Sequence, residues 1–209
     1  RELVGMVTIV DYGMGNLRSV AKGFERVGVK VQVSQDPETL ACSDKLVLPG
    51  VGAFADAVRN VERSHLKEAI LKFLGTGRPF LGICLGLQLL FEESEEGGNP
   101  KGFGIFTGRI RRFPNGALKV PHIGWNQIKR RAESAKRQMC PLLEGIPDGS
   151  YFYFVHSYYA APTERTVTET EYGVPFTSML WKENIFATQF HPEKSQRLGL
   201  KVLENFGRL

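Results

Sequence analysis

Apolar and polar positions fall into alternating blocks along the first hundred residues. Val7 to Val10 is a short β-branched run that ends in Asp11-Tyr12-Gly13-Met14-Gly15-Asn16, after which Leu17, Val20, Ala21, Phe24 and Val27 recur at helical spacing until Gly28. This pattern predicts a strand, a glycine loop and a helix. The order then recurs: Val29 to Val33 and Lys45 to Leu48 read as strands, Phe54 to Leu74 as helical segments, Phe80 to Ile83 as a buried strand and Leu85 to about Glu93 as a helix. Strands alternating with helices imply a parallel sheet covered on both faces.

From about residue 104 the texture changes. Phe103 to Phe113, Gly124 to Lys129, Tyr151 to Val155, Thr166 to Glu171, Phe176 to Trp181 and Ile185 to Gln189 are strand-like and separated by turn residues. They are expected as antiparallel or mixed additions to the same sheet. A helix from about Gln196 to Phe206, with Leu198, Val202, Leu203 and Phe206 toward the core, closes the pattern. The fold class is therefore α/β: a mostly parallel, doubly wound central sheet with helices on both faces and an antiparallel extension.

Composition narrows this picture little. At 209 residues and 42% hydrophobic, the chain fits one domain, residues 1–209, with a substantial core. Residues 1–5 are expected to be disordered or non-native, with the native start near Met6. The formal charge is +5, but the basic residues are scattered and no nucleic-acid motif accompanies them. Cys42, Cys84 and Cys140 are odd in number and far apart, which fits a reducing compartment. No apolar run approaches the ~18 residues needed to span a membrane, so a cytoplasmic protein is expected. Metal and nucleotide chemistry find no support: there is no C-x-x-C or H-x-x-x-H spacing, "GFGIFTG" at 102–108 lacks the dinucleotide pattern, and no P-loop is present. No metal and no cofactor are expected.

The chemistry centres on "GICLG", residues 82–86. Cys84 sits where a strand gives way to a helix, an arrangement similar to the G-x-S-x-G nucleophile elbow with cysteine for serine. The turn would place the thiol at a helix N-terminus and aim the N–H of Leu85 at an oxyanion formed on a substrate carbonyl. The pentapeptide alone leaves a second reading open, a small buried core cysteine. A nucleophile needs a base and the base an orienting acceptor. His65 reads as a surface residue, and His122 and His156, flanked by aliphatic and aromatic residues, read as hydrogen-bonded structural groups. His191 differs: Pro192 after it demands an extended or turn conformation, and Glu193 follows close enough to accept from the second ring nitrogen. "LPGVG" at 48–52, read alone a turn, puts two glycines at a strand end, where a backbone N–H can face an oxyanion.

Together PGVG, GICLG and FHPE resemble, in order, the three signatures of the triad (class I) glutamine amidotransferases. "DYGMGNLRSV", "LPGVGAFADAV", "GICLGLQLLFEESEE", "VPHIGWN", "YFYFVHSYY" and "FHPEKSQ" extend the likeness over most of the chain and resemble one group in that family, the glutaminase subunits of imidazole glycerol phosphate synthase. The resemblance implies that Cys84 attacks the glutamine carboxamide, that His191 protonates the departing ammonia and then activates water, and that Glu193 orients His191. It implies an oxyanion hole from Leu85 and the Val51–Gly52 region, formed only when a partner signals. It places L-glutamine against Gly50, Gln88, Glu96, Ser157 and Tyr158. Ammonia would pass to a (β/α)8 barrel synthase subunit, a separate polypeptide forming a heterodimer, which makes imidazole glycerol phosphate and aminoimidazole carboxamide ribotide in histidine biosynthesis. Asn16, Ile123, Trp125, Tyr153 and Lys194 fall at the docking face for that barrel, although Trp125 and Tyr153 read equally well as core aromatics. Two other functions share parts of the pattern: the glutaminase of pyridoxal phosphate synthase, and a non-catalytic cysteine sensor on a related fold.

Overall fold

In a computed structural model the described residues are 5–116, 118–132 and 139–209, so residues 1–4 of the leading segment lie outside them. The chain runs β1 (Met6–Val10), α1 (Leu17–Arg26), β2 (Lys30–Ser34), α2 (Pro37–Cys42), β3 (Lys45–Leu48), α3 (Phe54–Arg63), α4 (Leu66–Leu74), β4 (Phe80–Ile83) and α5 (Leu85–Gln88). The strands of this half are those the apolar blocks predict, with no end shifted by more than one residue. Helix α1 starts where Asn16 accepts from Ser19 N–H at 3.1 Å, and α2 where Asp36 accepts from Thr39 N–H at 2.8 Å with Pro37 at the first turn. Then follow β5 (Phe91–Ser94), β6 (Phe106–Arg112), β7 (His122–Gln127), β8 (Lys129–Arg130), β9 (Tyr151–His156), β10 (Tyr158–Ala160), β11 (Thr166–Glu171), β12 (Pro175–Lys182), β13 (Ile185–Thr188) and α6 (Gln196–Gly207).

Eight strands form one sheet in the order β2-β1-β3-β4-β13-β12-β11-β8. The first five are parallel and the last three run antiparallel, so the expected extension is there. Two apolar layers cover it. On one face Phe24 of α1 and Phe206 of α6 meet with ring centroids 6.0 Å apart above Val7, Ile9, Val47 and Leu81. On the other, α3 and α4 bring Phe54, Val61, Ile70 and Phe73 onto Leu46, Leu48 and Phe80. Each such fully buried side chain contributes about 1.5–3 kcal/mol.

Three expectations need correction. The helix expected from Leu85 to Glu93 stops at Gln88, and Phe91–Ser94 is a strand paired parallel with β6. Leu87, Leu89, Leu90 and Phe91 are all buried, so this stretch has no polar face to mark a helix, and the chain at 103–106 ends it by donating backbone N–H groups to Leu89, Leu90 and Phe91 carbonyls. Nor do all the later strands join the main sheet: β10-β6-β5 form a second sheet, and β7-β9 an antiparallel pair. Strand β6 also begins at Phe106 rather than Phe103, because Gly104 takes φ +66° just before it. Helix α2 and the short β10 carry too few apolar positions to be read from pattern.

Candidate active site

The register of three adjacent parallel strands assembles the site. Leu48 of β3 lies beside Gly82 of β4, and Ile83 of β4 beside Thr188 of β13. The residues that follow, Pro49-Gly50-Val51-Gly52, Cys84 and Gln189 to His191, therefore leave the same edge of the sheet, the carboxyl ends where open α/β sheets place ligands.

Cys84 occupies a sharp elbow with φ 54° and ψ −106°, at the start of one helical turn. Its neighbours must be glycine for a specific reason. A Cβ on Gly82 would lie 2.7 Å from the Gly86 carbonyl oxygen, and one on Gly86 would lie 1.9 Å from the Leu48 oxygen. The two glycines let β4 turn back into α5 while α5 rests on the end of β3. The thiol is 5% exposed, its hydrogen directed at Val155 O 3.9 Å away.

His191 and Glu193 meet it from the end of β13. His191 is extended, φ −97° and ψ 98°, before Pro192, and its N–H donates to Tyr153 O at 2.9 Å. Nδ1 lies 2.8 Å from Glu193 Oε1, and both side chains are 2% exposed. A carboxylate only accepts, so the proton sits on Nδ1. Nε2 is buried without a hydrogen-bond partner, which leaves that nitrogen for the sulfur or a substrate. Burial opposes a charged ring here, but the negative charge available on Cys84 and the Glu193 carboxylate outweigh it and lift the imidazole pKa from 6.5 to about 10. The arrangement favours an imidazolium facing Cys84.

The PGVG loop is held tightly. Tyr12 OH donates to Pro49 O at 2.7 Å, and its oxygen would lie 2.2 Å from a Cβ on Gly50. Burial, then the charge on Cys84, raises the Tyr12 pKa, so the phenol stays neutral and remains a donor. Gly52 has φ +114° with Met14 Cε 2.7 Å from where a Cβ would be. Leu85 N–H, expected to face an oxyanion, instead donates to Gly50 O at 3.3 Å. In this conformation the Gly50–Val51 peptide presents its oxygen, not its N–H, to Leu85.

A cleft of about 450 Å³ opens over Cys84. Val51, Gly52, Leu85, Gln88, Glu96, Ser157 and Tyr158, all expected at the site, line it; Gly50 lies beneath, against Tyr12. Glu96 is anchored by Phe54 N–H, which donates to Oε2 at 2.9 Å from the start of α3. Lys194, expected at the docking face, lines the cleft as well. Of the other docking residues, Ile123 is 59% and Trp125 46% exposed, Asn16 is exposed as the cap of α1, and Tyr153 is half-buried between Trp125, 6.2 Å away in an edge contact, and Lys194. Trp125 is thus not a core residue. His65 is exposed between α3 and α4, while His122 and His156 are buried and hydrogen-bonded to each other at 3.0 Å. Among the described residues no group of three or more His, Cys, Asp or Glu side chains is placed to hold a metal, and no helix is long and apolar enough to cross a membrane.

The sequence reading passed over Gln189. It is fully buried, its Nε2 is 3.6 Å from Cys84 Sγ, and its Oε1 accepts from Gln88 Nε2 at 3.1 Å. Only the pairing of β4 with β13 reveals it.

The model of the glutamine amidotransferase class-I family matches residues 8–208. The chain is similar to proteins named imidazole glycerol phosphate synthase subunit HisH: 51% identical over 210 residues to that of Syntrophotalea carbinolica, covering 97% of this chain and 99% of the relative. It is 51% identical over 203 residues to that of Aquifex aeolicus, covering 96% and 95%. Among solved structures, a glutamine amidotransferase superposes with a TM-score of 0.72 at 18% identity, covering 97% of this chain and 100% of the other. PurLQS from Thermotoga maritima does so with 0.72 at 17%, covering 97% and 98%. At those identities the structures speak to the fold alone.

Proposed function

The chain belongs to the class-I glutamine amidotransferase family, and from that premise we propose that it is the glutaminase subunit of an imidazole glycerol phosphate synthase, hydrolysing glutamine to glutamate and ammonia for histidine biosynthesis. The observation that carries the chemistry is the buried histidine held on one side only: Nδ1 on Glu193, Nε2 without a partner and free to serve Cys84.

In the first half-reaction Cys84 Sγ adds to the carboxamide carbon of glutamine, and the carbonyl oxygen takes the negative charge. As the tetrahedral intermediate collapses, His191 Nε2 gives its proton to the departing nitrogen, ammonia leaves and a glutamyl thioester remains. In the second half-reaction His191 takes a proton from water, the hydroxide adds to the thioester, and glutamate leaves as Cys84 regains its starting form. Glu193 holds the imidazole in one tautomer and stabilises its charge in both halves. Gln88, Glu96, Ser157 and Tyr158 surround the amino acid, with the anchored Glu96 carboxylate suited to its ammonium group. For the oxyanion, Leu85 N–H must first give up Gly50 O, which agrees with a site that a partner completes.

The partner is a (β/α)8 barrel synthase subunit that receives the ammonia, docked over Ile123, Trp125, Tyr153 and Lys194 with Asn16 at the rim. A cytoplasmic location belongs to the same reading. A cysteine sensor would need neither the His191–Glu193 pair nor a cleft of this size. The test is reconstitution with the barrel subunit, following glutamine-dependent formation of imidazole glycerol phosphate. Activity that needs both subunits and vanishes in Cys84→Ala supports the proposal; undiminished turnover in Cys84→Ala ends it.

A further inference from the structure

We infer that Gln189 is a catalytic residue, whose side-chain amide donates a hydrogen bond to Cys84 Sγ and stabilises the thiolate. The inference rests on reading Cys84 as the attacking thiol, as proposed above. Its ground is that the hydrogen-bond pattern leaves the amide one orientation. The Tyr158 carbonyl can only accept, and it accepts from Gln88 Nε2 at 3.0 Å and from His156 Nδ1 at 2.8 Å. Gln88 must therefore turn its NH2 group inward, and the same nitrogen lies 3.1 Å from Gln189 Oε1. With its oxygen held there, Gln189 can only turn its NH2 toward the sulfur, 3.6 Å away, an ordinary distance for a bond to sulfur.

Burial makes that donor matter. Gln189 is fully buried, and a buried amide without partners would be costly to keep. A neutral thiol is a weak acceptor, whereas a thiolate is a strong one, so the bond is stronger in the reactive form than in the resting form. It also fixes the direction of the sulfur. The titratable groups facing Cys84 are His191, from the end of β13, and Tyr12, from the end of β1, while Glu96, His156 and Lys194 line the same cleft. Tyr12 directs its hydroxyl to Pro49 O instead, which leaves Gln189 as the uncharged donor on the sulfur. Gln88 thereby joins the expected glutamine pocket to the nucleophile, and its amide would register the substrate on one side and the thiolate on the other.

The test replaces the amide by a side chain of similar length with no donor, Gln189→Met. Iodoacetamide alkylation of Cys84 is followed between pH 5 and 10 in the isolated chain, and glutamine turnover is measured with the barrel subunit. A bond to a charged group is worth about one pH unit or more, so the alkylation midpoint should rise by about one unit and kcat fall about tenfold, with KM for glutamine changed less than about twofold. Superimposable profiles and an unchanged kcat would overturn the inference. Should Gln189→Met not fold, the wild-type protein labelled with nitrogen-15 at glutamine decides: the Gln189 amide protons must shift with the alkylation midpoint, and a signal indifferent to that titration refutes the bond. The two readings fail separately. A wild-type protein that loses no glutamine in the complex but whose alkylation responds to Gln189→Met would sink the glutaminase and leave the donor standing. Normal hydrolysis unaffected by the substitution would do the reverse.

Discussion

Gly86→Ala adds one methyl group, and the geometry says it is the most damaging such change at the elbow. The new Cβ would lie 1.9 Å from Leu48 O and 3.0 Å from Leu48 C. Ordinary contact needs about 3.5 Å, so α5 and the end of β3 must part by roughly 1.5 Å, and neither obstacle is a flexible side chain that could swing aside. If α5 retreats it carries Cys84 with it; if β3 retreats it carries Pro49 and Gly50. Overpacking of this kind costs about 1–3 kcal/mol or more, and a displacement near 1 Å at the reacting atoms about a hundredfold in rate. Gly82→Ala meets Gly86 O at 2.7 Å and should cost less. Gly75→Ala, in a right-handed conformation at the end of α4 with its nearest neighbour at 3.6 Å, should be neutral or slightly stabilising. Urea unfolding of the three variants, with glutamine turnover in the reconstituted complex at conditions where each is folded, should order them Gly86, Gly82, Gly75 in both measurements. A Gly86→Ala protein with the wild-type midpoint and more than a tenth of its turnover would refute the steric account.

Tyr12→Phe leaves the Pro49 carbonyl without its donor and should lower unfolding stability by about 1–3 kcal/mol, read from urea midpoints; a loss under 0.5 kcal/mol would show that Pro49 finds another partner. Burial lowers the pKa of His122 to about 4 and of His156 to about 3. Both folded values lie below the unfolded 6.5, so their contribution is complete above pH 6.5 and is lost as pH falls toward 3, with a slope near pH 5 of at most about 2.7 kcal/mol per pH unit. His191 acts in the opposite sense: its folded value of about 10 lies above 6.5, so its contribution is complete below pH 6.5 and fades as pH rises to 10. Chemical denaturation across pH should therefore show greatest stability near 6.5, and a maximum below pH 5 would contradict the buried neutral pair. Trp125→Ala should weaken binding of the barrel subunit by about 30-fold or more, as central exposed aromatics do at interfaces, with the unfolding midpoint unchanged; calorimetric titration showing equal affinity would move the docking face elsewhere.

What the sequence made legible follows from where each residue sits. Strands such as Phe80–Ile83 are buried on both sides, so they read as unbroken apolar runs, while α1 shows one apolar face and declares its period. The stretch from Leu87 to Phe91 is apolar but for Gln88, itself buried, so every side of it is covered and neither period survives. Cys84, His191 and Glu193 stood out because each occupies a local motif with a mechanical reason: glycines at an elbow, a proline after a histidine, a carboxylate two residues on. Gln189 had no such local mark. Its role depends on β4 and β13 being neighbours across a hundred residues, and adjacency of strands is a property of the sheet that no local pattern encodes.

The resting loop bears on how such a site is switched. Two paths run from the exposed aromatic face to the chemistry. Strand β9 carries Tyr153, whose carbonyl accepts from His191 N–H and whose N–H donates to Ser195 Oγ at 2.9 Å; this path holds a histidine whose partners are already in place. The other runs through the β1–α1 loop, where Asn16 is exposed, Gly15 packs on Gly50, Met14 on Gly52 and Tyr12 on Pro49. Only this second path leads to the proposed oxyanion donor, Leu85 N–H, which here donates to Gly50 O. Breaking that single 3.3 Å bond costs about 0.5–1.5 kcal/mol net, a factor of about ten at most, whereas a missing oxyanion donor costs about 2.7–4 kcal/mol. Activation much beyond tenfold therefore cannot come from releasing the bond alone. It requires the Tyr12, Met14 and Gly15 packing that holds the Gly50–Val51 peptide to change as well, and that packing lies next to Asn16, at the expected rim of the docking face.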